Sequence, residues 1–267
     1  MKPTLALSFL VCLLTLFSTP VLAADTKAER FEAADSEGVT ATRDDTTVYL
    51  KIGADVKGPI AIPRLAAPVS SMHWQGFEEG GITLKPNLDT WDIHWADRPH
   101  DALTLVLKFD AKPLLLREVE PIESTGDGSF YLPAHFAKTY GEKVRYEPQT
   151  YKNTVGFWVG KKDQAVWKIQ LDRPGRFNVA VLQGCGKGHG GSLATMSFAS
   201  PVKDITPTID FEVVETGHWQ NFRWVQLGEI ELRHKGEVEV AVAPKQIKKA
   251  ALMDIRAIHL IRLPDKK

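Results

Sequence analysis

"DQAVWKIQLDRPGRFNVAVLQGC", Asp163 to Cys185, alternates on both sides of one turn. Ala165, Trp167, Ile169 and Leu171 alternate with Val166, Lys168, Gln170 and Asp172; Phe177, Val179 and Val181 alternate with Asn178 and Ala180. A period of two gives a strand with one buried face. Pro174-Gly175 is a turn signal, so the two runs read as a hairpin. Working outward, Ile209, Phe211 and Val213 show the same period, as do Val238, Val240 and Val242. So do Val48–Ile52, Gly81–Leu84 and Leu103–Leu107. No helix of three turns is expected, only a short one near Ala134–Tyr140. Many short strands separated by Gly and Pro predict an all-β chain built of sandwiches or barrels.

The stretch runs on into "VLQGCGKGHGGSL", Val181 to Leu193. Gly186-x-Gly188-x-x-Gly191 has dinucleotide-loop spacing, but such a loop needs a helix after it to hold the pyrophosphate. "SLATMSF" follows, and its alternation reads as a strand. No Gly-Lys-Ser/Thr is present for a phosphate loop. Cys185 and His189 are a poor nucleophile pair, with nothing in the sequence to lower the thiol pKa or orient the base. The run reads as a glycine-rich connection that lets another backbone or a ligand come close.

Leu5 to Phe17 is an apolar run after Lys2, too short to span a bilayer, and Val21-Leu22-Ala23 offers small residues for cleavage. Residues 1–23 are therefore expected to be a secretory signal, and the protein secreted or periplasmic. Residues 24–34 form a short N-terminal segment. Cys12 leaves with the signal, so Cys185 stands alone and no disulfide framework exists. The 33 basic and 33 acidic residues balance, which argues against nucleic-acid binding. No later segment suits a membrane span. "REVEPIESTGDGS", Arg117 to Ser129, is a polar break between apolar runs. The expected organisation is a β-sandwich over 35–117, a linker over 118–128 and a second β-sandwich over 129–267.

In the second half, "NTVGFW" (Asn153 to Trp158) precedes the opening stretch, and "GHGGS", "TGHWQNFRWVQLGEIEL" (Thr216 to Leu232) and "ALMDIRAIHLI" (Ala251 to Ile261) follow it. This order resembles galactose-binding-like jelly rolls, the carbohydrate-binding modules of families 6 and 35 appended to bacterial fucosidases and sulfatases. The Trp167-x-x-x-Leu171-x-x-Pro174-Gly175-x-Phe177 pattern and Thr216-Gly217-x-Trp219-x-x-Phe222 carry it. More faintly, "TVYLKI" and "HDALTLVLKFD" (His100 to Asp110) resemble the β-sandwich that follows the catalytic barrel of family 29 α-L-fucosidases. That barrel would lie upstream, where only the signal and a short segment stand, so no catalytic residues are expected.

Sugar binding needs a flat aromatic ring for the pyranose face and polar groups for its hydroxyls. Trp219 is the expected platform, with His218, Gln220 and Asn221 beside it. The resemblance implies a second aromatic wall, for which Tyr151 and Trp158, flanking Asn153, are the candidates. His189 and Lys248 lie in loops that could reach the same edge. Trp167 is expected in the core, and Trp224 in the core or half-buried. The related modules often hold a structural Ca²⁺ between acids of the first and last strands. Here Pro133-Ala134 stands where the first acid would be, leaving Asp254 as a weak metal candidate. In "WDIHWADRPHD" (Trp91 to Asp101), His94, Asp97 and His100 match no zinc spacing, and Trp91 and Trp95 share a strand face. The chain is expected to be a non-enzymatic, cofactor-free glycan binder. The alternative is an interaction or accessory subunit of a secreted glycosidase or sulfatase.

Overall fold

A computed structural model describes residues 29–31 (backbone only), 38–77, 81–99, 104–200, 202 and 206–265. The expected signal segment and His100 lie outside the described residues. The first half supplies β1 (Glu29–Phe31), β2 (Val39–Asp44), β3 (Thr47–Ile52), β4 (Ile60–Pro63), β5 (Val69–Trp74), β6 (Ile82–Pro86), β7 (Thr90–Trp95) and β8 (Thr104–Phe109). The second supplies β9 (Phe130–Pro133), β10 (Lys138–Tyr140), β11 (Arg145–Glu147), β12 (Thr154–Gly156), β13 (Gln164–Leu171), β14 (Gly175–Cys185), β15 (Leu193–Ala199), β16 (Thr208–Glu212), β17 (His218–Leu232), β18 (Gly236–Gln246) and β19 (Asp254–Arg262). Among the described residues the only helical pieces are 3-10 turns at Leu116–Glu118 and Ala134–Phe136. The short helix expected near Ala134 is one such turn, and β10 follows it directly.

The chain is all-β. One sheet runs β1-β2-β3-β8-β5 and faces a smaller one, β4-β7-β6; the second half forms β10-β13-β18-β15-β16 and β11-β12-β19-β14-β17, with β9 also on β19. The alternation in the opening stretch correctly gives the buried faces. Ala165, Trp167, Ile169 and Leu171 are at most 1 % exposed, as are Phe177, Val179 and Val181. Burial of each larger side chain contributes about 2 kcal/mol.

The hairpin is overturned. β13 pairs with β10 and β18, whereas β14 pairs with β17 and β19. The Pro174-Gly175 turn therefore arches from one sheet to the other. Both strands turn their apolar sides toward one interior, which alternation alone cannot distinguish from a pair lying side by side. The glycine-rich run crosses back, and β15 follows it where a dinucleotide fold would have a helix.

The two halves meet through buried polar contacts. Arg64 is 1 % exposed and donates to the carbonyls of Ala137 (2.7 Å) and His135 (2.9 Å), with its guanidinium 4.7 Å from the centre of the Tyr146 ring. Burial pushes its pKa down to about 10. The expected linker is itself tied down: Glu118 pairs with Arg43 at 2.7 Å, and Ile122 bridges to Ile169 of β13.

Candidate functional site

At one end of the β14 sheet, Gly184 pairs with Asp254 and Cys185 with His218, which brings the starts of β17 and β19 together. The end of β11 and the loop after β12 join them. A cavity of about 370 Å³ opens there. Phe157, Val159 and Trp219 wall it, Gln220 lies at its edge, and Glu147, Lys152 and Asp254 are its charged members. A hollow of about 390 Å³ at the far end of β17 is lined by Phe198, Glu231 and His234 among others, but its phenyl ring is 1 % exposed and belongs to the core.

The glycine-rich run positions Trp219. A Cβ on Gly184 would stand 1.9 Å from the Trp219 carbonyl oxygen, and one on Gly186 would stand 2.8 Å from the indole. The close approach expected of this run is thus made by the tryptophan segment. His189 packs on the same indole, ring centres 5.1 Å apart.

The opposite wall depends on local backbone strain. Phe157 has φ +60°, a region that bulky side chains rarely adopt, and is 40 % exposed. The left-handed turn sends Phe157 outward and Trp158 inward. Asp163 holds the turn: one carboxylate oxygen accepts from Glu142 N (2.8 Å), the other from Val159 N (2.8 Å) and Gly160 N (2.7 Å).

Gly156 leaves room for two acids. A Cβ there would lie 2.6 Å from Asp254 Oδ1 and 3.1 Å from Glu147 Oε2. The Glu147 carboxylate is bridged by Lys152 Nζ at 2.5 Å through its other oxygen. The Asp254 carboxyl accepts no hydrogen bond among the described residues. Burial first, and the neighbouring Glu147 second, push its pKa up to about 8 against the pull of Lys152. Cys185 is fully buried, and burial lifts its thiol to about 11, which disfavours the thiolate at neutral pH.

Of the residues expected at the site, Trp219 and Gln220 line the cavity and His189 supports Trp219. His218 is exposed, its Nδ1 accepting from Gln220 N at 3.1 Å. Trp158 is corrected: it is wholly buried and donates from Nε1 to Val155 O at 2.9 Å, so it serves the core. Tyr151 is 67 % exposed but does not line the cavity; its carbonyl accepts from Arg256. Asn153 accepts from Tyr146 Oη at 2.9 Å and is structural. Asn221 closes its own turn onto Thr216 O, and exposed Lys248 sits by Gly191 and outside the lining. Phe157, Val159, Glu147 and Lys152 were missed. Phe157 stands inside "NTVGFW", next to Trp158, which the resemblance pointed to as a wall.

Trp167 lies in the core as expected, whereas Trp224 is 46 % exposed. Trp91 is buried, and Trp95 packs edge-on against Trp74 at 5.4 Å. The donor set at Asp254 does not suit Ca²⁺, which takes six to eight oxygens. Its one acidic neighbour is already bridged by Lys152, and no group of three or more His, Cys, Asp or Glu among the described residues could hold a metal.

No family model matches the chain, and no curated protein matches it. Similar solved structures include a family 26 mannanase carrying a family 35 module from Podospora anserina (14 % identity, 53 % of this chain and 29 % of that one, TM-score 0.39). An α-L-fucosidase from Vibrio sp. strain EJY3 matches at 12 % identity over 83 % of this chain and 39 % of that one, TM-score 0.34. A family 35 module from Cellvibrio japonicus matches at 13 % over 50 % and 92 %, TM-score 0.38. The chain thus spans under two fifths of the two enzymes. Family 6 and family 35 modules and a fucosidase, the families its sequence resembles, are all among these structures. None superposes closely enough to transfer a residue's role.

Proposed function

We propose that the chain is a non-catalytic carbohydrate-binding protein whose second half, the jelly-roll domain over 129–267, holds a glycan in the Trp219 cavity. One observation carries this reading: an aromatic-walled cavity at the strand ends, with amide and charged groups converging on it. Trp219 and Phe157 would cover the apolar face of a pyranose, and Gln220, Glu147 and Asp254 would take its hydroxyls. The test is a glycan panel read with the unsubstituted chain and with Trp219→Ala. Loss of a stacking ring costs about 1.5 kcal/mol or more, so binding should weaken at least about tenfold. Equal binding by both proteins would move the site elsewhere, and no binding by either would end the reading.

Exposed Tyr131 and Trp224, both packed on His259 across the open face of the β14 sheet, favour a second reading. There the chain is an accessory subunit docked on a secreted glycosidase or sulfatase. Trp224→Ala would then abolish co-elution with such an enzyme and leave glycan binding intact. Both readings carry the sandwich over 35–117 as a supporting domain and place the protein in the periplasm or outside the cell. Terminal sequencing of exported protein should begin at Ala24; a start at Met1 would remove the export step.

A further inference from the structure

We propose that the sugar taken by this cavity is an amino sugar, its ammonium group set against the Asp254 and Glu147 carboxyls while Trp219 and Phe157 cover its ring. This deepens the carbohydrate reading above and rests on it.

Four observations converge. Asp254 is 6 % exposed, lines the cavity and accepts no hydrogen bond among the described residues. An acid so placed is costly unless a donor or a cation arrives. Glu147, 5 % exposed, gives one oxygen to Lys152 and turns the other toward Asp254 across the space that Gly156 leaves. The lining therefore carries two acids and one ammonium, and the ammonium is taken by Glu147, so Asp254 has no cationic partner in the lining when it ionises. Arg145 acts on Glu147, but its guanidinium lies 3.4 Å from the centre of the Phe157 ring and outside the lining, so it does not reach into the cavity as a donor to Asp254. The walls are aromatic, and a ring face favours a cation; one face of Phe157 already carries Arg145, which leaves Trp219 as the ring for the ligand's cation.

The alternatives fit less well. A neutral hexose offers hydroxyl donors but no cation for an ionised Asp254. An N-acetyl group brings one N–H donor and likewise no charge. A free ammonium brings three donors and a charge, and charge-assisted hydrogen bonds are the strong ones.

The experiment uses calorimetry on the full chain near pH 6.5 with three β-1,4 tetramers: glucosamine, N-acetylglucosamine and glucose. The glucosamine tetramer should bind at least about tenfold more tightly than the other two. Asp254→Asn should bring all three within about twofold of one another. Trp219→Ala should weaken all three. Glu229→Gln, at the far end of β17, should change nothing and so controls for general attraction. If N-acetylglucosamine or glucose binds as tightly as glucosamine, or if Asp254→Asn keeps the preference, the inference fails and the carbohydrate reading stands. If no tetramer and no member of the wider panel binds, that reading fails and takes the inference with it.

Discussion

Replacing Asp163 by alanine is expected to lower the unfolding free energy by about 4 kcal/mol, with three backbone amides, one of them buried, losing their acceptor at once. Asp163 is wholly buried, and its carboxylate is the shared partner of Glu142, Val159 and Gly160. Two glycines are fitted around it. A Cβ on Gly141 would stand 2.3 Å from Oδ1, and one on Gly160 would stand 2.9 Å from it. Asp163→Asn keeps one acceptor oxygen and turns an N–H donor against another donor, so a loss of about 2 kcal/mol is expected. Urea unfolding followed by tryptophan fluorescence should rank the proteins in that order. An alanine variant within 1 kcal/mol of the parent would show that the loop does not hang on this carboxylate. The functional consequence follows from the same bonds: Val159 N is fixed by Asp163, so releasing it frees the Phe157–Val159 wall, and glycan binding should fall with stability.

That loop also marks the limit of reading sequence by period. Trp167, Phe177 and Val181 were legible as core because β13 alternates throughout and the apolar positions of β14 from Phe177 to Val181 face inward, although Ala180 is buried beside them. Alternation assigns a face and not a partner, so the arch at Pro174-Gly175 looked the same as a hairpin. At Phe157 the backbone turns left-handed, the parity of the side chains changes, and Trp158 drops into the core in place of its neighbour. Trp219 was singled out as an aromatic beside polar residues on an expected loop, and the structure puts it at the start of β17, lining the cavity. Its neighbours were not legible, because Glu147, Lys152 and Asp254 come from β11, the β11–β12 loop and β19. Only the register of β12 and β14 on β19 brings them together. The glycine-rich run was read correctly as a place of close approach, but what approaches, the Trp219 carbonyl and indole, lies in another strand.

A fold that keeps Asp254 where it stands should become less stable as pH rises from about 4 to about 8. Its carboxyl holds its proton up to about 8 in the native chain, against 3.8 when unperturbed. Between those values the native state binds more protons than the unfolded one, so each pH unit removes up to about 1.4 kcal/mol. The stabilising contribution is complete below about pH 4 and is lost as pH climbs through the native pKa. Asp254→Asn removes the titration, and its amide can donate to the nearby Glu147 carboxylate. The variant should match the parent near pH 4 and exceed it by about 4 kcal/mol at pH 7. Denaturant midpoints for both proteins at several pH values would show it; parallel profiles would mean that Asp254 ionises normally in the folded chain. If the profiles diverge as expected, packing cannot be the reason for an acid at this position, since a neutral amide of the same shape packs as well and costs less. Groups that weaken the fold in this way belong where a ligand meets them. A cationic ligand does so by stabilising the ionised form, and its binding should then narrow the gap between the two proteins at pH 7.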